Sequence, residues 1–385
     1  MNKVSVVTAT RAEYGILTPL IRALNKDEDI DLQLIVTGTH LSDKYGRTEN
    51  EIIKDGFEIF KRIPILEAGN TAYDISLTMA NAIKGFAEYF RDEKPQIVFI
   101  LGDRTEMLGV AAAAMNERIP IAHIHGGEIT EGAVDDCVRH ALTKMSYLHF
   151  ASTEEYKKRI IQMGESPDRV YNVGALSTEN ILNLPLIPEK ELRESIGIPK
   201  SMDYSAVTFH PVTLEVDSAK EQIEALCDAM DANNDVFYLI TMANADNGGD
   251  MVNKMLNDFA MEHSNTKMVS SLGMVRYLSA VKYAKFVLGN SSSGIIEAPV
   301  LGTPTVNIGH RQKGRIMAES IINCEPDLRS ISEAIKKAIA TEHKPSFIYG
   351  DGKTSQLILQ KIKKYLLEDI TTKKQFYDIE YWGTR

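Results

Sequence analysis

The 385 residues include only three cysteines, Cys137, Cys227 and Cys324, widely spaced and odd in number. That pattern excludes a disulfide framework and offers no metal-ligand spacing, which points to a reducing compartment. No apolar run approaches the roughly 20 residues that span a bilayer. The apolar stretch before Thr8 is too short for a secretory signal, so a cytoplasmic protein with no membrane partner is expected. Basic charge is also in deficit, with 43 Lys and Arg against 53 Asp and Glu for a net charge of -10. Such a chain has no general nucleic-acid surface, and an anionic ligand must be held by a local basic cluster. The dinucleotide fingerprint is missing, because Arg11 stands where a close glycine is needed, so bound NAD is not expected. Short internal repeats and low-complexity tracts are lacking too.

What the chain does contain is a regular α/β alternation. Val4 to Val7 is rich in β-branched residues and breaks at Thr8–Gly15 before apolar residues at helical spacing, Leu17, Leu20, Ile21 and Leu24. Strands are predicted over 32–37, 97–101 and 148–151, with a long amphipathic helix over 71–91 and a helix-start signal at Ser152–Glu155. Leu184 to Pro199 mixes proline, apolar and charged residues and reads as a domain link. A second alternation follows, with strands over 206–209, 236–240, 267–269, 286–288 and 305–308. The fold class is therefore α/β, two Rossmann-like domains with a cleft between them. The expected domains are 1–185, 186–353, and a C-terminal helix and tail over 354–385 that pack back on the first.

The richest stretch is Ile119 to His140, a short apolar strand that breaks at Gly126-Gly127 and delivers His123, His125, Glu128, Glu131, Asp135 and Asp136. If this strand and Ile97–Leu101 are parallel neighbours, Asp103 and the His125–Glu128 turn share one crevice, giving proton-transfer groups a common site. Simpler roles compete. Asp135 and Asp136 can cap a helix and pair with Arg139 and His140, and Asp103-Arg104 can be a structural pair. His123 and His125 are expected on one face of the strand, but no third ligand stands at a recognised spacing, so no metal is expected.

In the second half, Gly289–Gly294 reads Gly-Asn-Ser-Ser-Ser-Gly between a strand and a helix, with Glu297 just inside that helix. Free amides and hydroxyls there make a phosphate cradle, and a nearby carboxylate can accept from a ribose diol; a helix cap is the plainer alternative. His310–Arg315 adds a basic loop, His210-Pro211 ends the first strand of this half, and Asn244–Asp250 ends the next.

Taken in order, TATRAEYG at 8–15, VTGTHLSDKYG at 36–46, LGDRTEM at 101–107, HIHGGEITEGAVDD at 123–136, RHALTKMS at 139–146, HP at 210–211, GNSSSGIIEAP at 289–299 and IGHRQKGR at 308–315 resemble the hydrolysing UDP-N-acetylglucosamine 2-epimerases over nearly the whole length. The resemblance implies a glycosyltransferase-B-like fold, a UDP-sugar partner, no cofactor, and a homodimer or homotetramer. It implies conversion of UDP-N-acetylglucosamine to N-acetylmannosamine and UDP by anti elimination to 2-acetamidoglucal, followed by addition of water. The alternatives are the same reaction on UDP-2,4-diacetamido-2,4,6-trideoxyglucose, or a non-hydrolysing 2-epimerase.

By the same resemblance Asp103, Glu128 and Asp135 fall to proton transfer with His125 beside them. Arg11, His210, Ser291 and Ser292 fall to the diphosphate, with His210 also counted as a catalytic residue, Gly294 to the UDP site, Glu297 to the ribose, and Arg311 and Arg315 to auxiliary anion contacts. Some relatives read HIEGGE where this chain reads HIHGGE, so either His125 or Glu128 takes the part of their glutamate.

Overall fold

A computed structural model describes every residue except 70, 130–133, 211–218, 243–248, 271, 369–371 and 380–385. Glu131, Pro211 and most of the Asn244–Asp250 turn thus lie outside the described residues. The chain divides into two compact units, Met1–Asn180 with Gly350–Arg385, and Ile181–Tyr349.

The first unit runs β1 (Asn2–Thr8), α1 (Arg11–Lys26), β2 (Ile30–Thr37), α2 (Glu49–Lys54), β3 (Lys61–Ile63), α3 (Ala72–Glu93), β4 (Ile97–Leu101), α4 (Thr105–Asn116), β5 (Ile121–Ile124), α5 (Val134–Met145), β6 (Leu148–Ala151), α6 (Glu154–Gln162) and β7 (Val170–Asn172). α7 (Leu176–Asn183) crosses the division. The second unit continues with α8 (Glu189–Ile196), β8 (Tyr204–Thr208), α9 (Ala219–Ala232), β9 (Phe237–Thr241), α10 (Gly249–Glu262), β10 (Thr266–Val269), α11 (Met274–Tyr283), β11 (Phe286–Gly289), α12 (Ser292–Leu301), β12 (Thr305–Ile308), β13 (Ile321–Cys324) and α13 (Leu328–Ala340), before α14 (Thr354–Leu366) returns to the first.

All described strand pairs are parallel, in the orders β3-β2-β1-β4-β5-β6-β7 and β10-β9-β8-β11-β12-β13. Helices cover both faces of such sheets, so central strands are largely apolar; β4, Ile-Val-Phe-Ile-Leu, is wholly buried. In each unit the strand order reverses beside its first strand, at β1/β4 and at β8/β11, and the crevice outside the carboxyl ends at such a reversal is where doubly wound sheets bind ligands.

The stretch 184–199, read from sequence as a link, contains α8. Its Leu192 and Ile196 are buried against Tyr204 and Leu278, and Gly197 in the left-handed conformation ends the helix. Strands β3 and β13 escape the sequence pattern because they are short edge strands with most of their residues exposed or partly so. Lys363 of α14 pairs with Asp27 at 2.9 Å and Asp29 at 2.8 Å, and Ser355 donates to Glu179, fixing that helix to the first unit. Among the described residues no helix is long and apolar enough to cross a membrane.

Candidate active site

In the first unit the turns after β1, β4 and β5 meet at the strand reversal. Thr10 and Glu13 come from the first, Gly102, Asp103 and Arg104 from the second, and His125 and Glu128 from the third. With Arg139 of α5 they line a cavity of about 260 Å³. Asp103 accepts a hydrogen bond from Arg139, which is 6% exposed and also stands 3.4 Å from Asp136. Glu128 accepts from Ser152 at 2.9 Å and lies 3.9 Å from the His125 ring.

The two histidines do not share a strand face. β5 ends at Ile124, and His125 follows in the left-handed conformation at φ 63°, an uncommon state for a residue with a Cβ and one that here re-aims the ring into the cavity. His123 instead turns inward, its ring bonded to the Gly102 carbonyl at 2.7 Å and the Thr143 hydroxyl at 3.2 Å. Burial pushes the His123 pKa down to about 3, so it is a neutral scaffold residue. Burial also lowers His125, against an opposing pull from Glu128, and its Nε2 is buried without a partner among the described residues.

The remaining sequence candidates of this unit stand apart from the cavity lining. Asp135 is exposed in the first turn of α5, while Asp136 next to it is the residue that faces Arg139 and His140. Arg11 is largely exposed and pairs with Glu51 at 3.1 Å.

Sequence reasoning missed Glu13. It caps α1 reciprocally with Thr10, accepting from the Ala9 amide at 3.0 Å, and burial raises its pKa to about 7 although Arg104 pulls it down. The Thr10-x-x-Glu13 spacing was the available signal, and it reads first as a helix start.

In the second unit, Asn290 bridges the strand reversal: its side chain accepts from the His210 amide at 2.7 Å and donates to the His210 carbonyl at 2.8 Å. Arg311 and Gln312 donate to the Asn290 carbonyl at 3.2 and 2.9 Å, tying the basic loop to the serine turn. Ser291 caps α12, and Ser292 opens it. Ser293 receives a hydrogen bond from Tyr277 at 2.9 Å and donates to Glu297, whose pKa burial raises. Gly294 is buried against Thr305, and Arg315 is partly exposed beyond the loop. A cavity of about 670 Å³ in this unit, over β12, β13 and α13, touches none of His210, Ser291, Ser292, Glu297 or Arg311.

Gly289 ends β11 at φ 135°, and a Cβ there would run into the Thr208 carbonyl. Gly289→Ala is expected to destabilise the second unit by about 2–4 kcal/mol, because backbone strain and a backbone clash combine. Urea denaturation checks this; an unchanged midpoint would show that the strand can shift.

Residues 22–363 match the family model described as UDP-N-acetylglucosamine 2-epimerase. The chain belongs to this family. Among curated members it is similar to the GDP/UDP-N,N'-diacetylbacillosamine 2-epimerase (hydrolyzing) of Campylobacter jejuni, with 41% identity over 89% of each chain. It is also similar to the UDP-N-acetylglucosamine 2-epimerase of Neisseria meningitidis, with 30% identity over 98% of this chain and 100% of that one. The solved structure of UDP-GlcNAc 2-epimerase from Neisseria meningitidis bound to UDP-GlcNAc matches the fold at TM-score 0.77 and 19% identity, covering 94% of this chain and all of that one. The two-unit α/β architecture of this epimerase-family chain is thus the glycosyltransferase-B-like one of its solved neighbours.

Proposed function

We propose that the chain is a hydrolysing 2-epimerase of a UDP-linked 2-acetamido sugar. The observation that carries this is the cavity in which Asp103, His125 and Glu128 meet at the carboxyl ends of β4 and β5. In this reading a carboxylate, Asp103 oriented by Arg139, takes the proton from sugar C2. The C–H electrons form the C1–C2 double bond as the C1–O bond breaks and leaves with UDP. Water then adds its oxygen to C1 while an acid returns a proton to C2 on the opposite face. His125 and Glu128, 3.9 Å apart, suit that second exchange, with Asp135 as the outer carboxylate. Arg11, His210, Ser291, Ser292 and Gly294 are assigned to the diphosphate, Glu297 to the ribose, and Arg311 and Arg315 to auxiliary anion contacts.

For the sugar, the 41% identity to a diacetylbacillosamine 2-epimerase favours UDP-2,4-diacetamido-2,4,6-trideoxyglucose over UDP-N-acetylglucosamine, whose enzyme in Neisseria meningitidis is 30% identical. The test is incubation of the purified protein with each UDP-sugar in D2O. Release of UDP and of a free sugar inverted and deuterated at C2, faster from the diacetamido donor, is expected. A UDP-linked 2-epimer without free UDP would replace this reading by the non-hydrolysing one, and preference for UDP-N-acetylglucosamine would reverse the assignment of the sugar.

A further inference from the structure

We propose that Glu13 works in this cavity as a neutral acid whose Oε1 donates a hydrogen bond to an acceptor oxygen of the bound UDP-sugar, so that substrate capture requires a protonated Glu13. The inference rests on the functional reading above and adds a binding residue to it. Glu13 is 6% exposed and lines the cavity. Its two oxygens have unequal lives. Oε2 receives the Ala9 amide at 3.0 Å and the Thr10 hydroxyl at 3.4 Å, which satisfies the helix cap. Oε1 is buried with no hydrogen-bond partner among the described residues. A cap needs only the first oxygen, and leaving the second bare in a buried place is costly unless a ligand completes it.

Charge balance in the cavity favours the acid form. Arg104 stands 2.6 Å from Glu106 and 3.9 Å from Glu13, and Glu106 is itself 6% exposed. Two buried carboxyls thus share one guanidinium, and the nearer one takes it. Arg139 from α5 is committed to Asp103, Arg11 to Glu51, and Asp135 adds negative potential at Arg104. His125 is held neutral by burial, and Glu128 adds a further carboxyl. Among the described residues, Arg104 and the Ala9 amide offset a second buried negative charge only in part, consistent with the raised pKa, and an arriving diphosphate would raise it further.

The experiment compares kcat/KM for UDP-sugar hydrolysis across roughly pH 6 to 9 in the wild type and in Glu13→Gln, since this profile reports groups of the free enzyme. Glutamine keeps the cap acceptor and offers a donor that does not titrate. The wild type is expected to fall about tenfold per pH unit above pH 7, through KM rather than kcat, and Glu13→Gln to lose that limb. Glu13→Ala should raise KM below about pH 7, where the wild type still has its donor. An identical alkaline limb in Glu13→Gln would overturn the proposal, as would a Glu13→Gln protein of native melting temperature that is inactive at all pH. In parallel, infrared spectra of the ligand-free proteins should show a protonated-carboxyl band at pH 6 that Glu13→Gln lacks; a wild type without that band also overturns it. If the wild type releases UDP from no sugar, the functional reading itself falls, a failure visible without any variant.

Discussion

Replacing Asp103 with asparagine should lower kcat by about 10²–10⁴-fold, the range spanned by loss of one positioned acid or base, while UDP still binds. Asparagine preserves shape but cannot accept the C2 proton. The same substitution leaves Arg139, 6% exposed, without its closest carboxylate, so a structural cost has to be separated from a chemical one. Asp136 remains 3.4 Å from that guanidinium and limits the loss. Single-turnover rates, UDP calorimetry and melting curves on one preparation make the separation. Native-like melting and UDP affinity with turnover abolished is the expected combination. A near-native rate would remove Asp103 as the base and shift the role to Glu128.

The second large effect lies away from the cavity. Glu165 is fully buried, receives hydrogen bonds from Lys144 at 2.7 Å and pairs with Lys374 at 2.7 Å, and its other neighbour is the buried His149 ring at 3.0 Å. Burial works to raise the Glu165 carboxyl, but His149 and the two lysines outweigh it and bring the pKa down to about 2 from 4.5. A depressed carboxyl contributes stability that is present above the unfolded value and is lost as pH falls from about 4.5 to about 2. A shift of this size is worth on the order of 3 kcal/mol, and breaking a buried pair from one side typically costs about 3–5 kcal/mol.

Glu165→Gln should therefore destabilise the first unit by several kcal/mol at neutral pH and remove most of that acid-dependent slope. It should also loosen the C-terminal segment, because Lys374 additionally bonds the Lys144 and Ser146 carbonyls, and Tyr377 donates to Gly164 at 3.0 Å. Faster tryptic cleavage after Lys373 or Lys374, together with a lower urea midpoint, is the readout. Unchanged proteolysis and midpoint would mean that the packing of Phe376 against Gly164 holds the segment without the charge.

Much of the architecture was legible because buried parallel strands announce themselves. β6 and β12 coincide with the apolar runs 148–151 and 305–308, and Thr153 caps α6 where the Ser-Thr-Glu-Glu signal placed a helix start. The misses have local causes. The edge strands β3 and β13 bury too little to leave a pattern, and α8 was hidden by its flanking prolines, Pro188 and Pro199. Within the site, strand alternation put His123 and His125 on one face, whereas the chain leaves the strand between them and turns His125 the other way.

The sequence by itself determined most of the elements, the two-domain α/β class and the residue types carried to the strand ends, since these follow from hydrophobic period, turn residues and motif order along the chain. Only the tertiary structure decided who faces whom. Arg139 serves Asp103 rather than Asp135, His123 is spent on the Gly102 carbonyl, and Glu13, separated from Arg104 by ninety residues of chain, becomes a buried carboxyl in the same cavity. Those pairings arise because burial and charge balance act through space, across segments whose spacing in the sequence holds no trace of their contact.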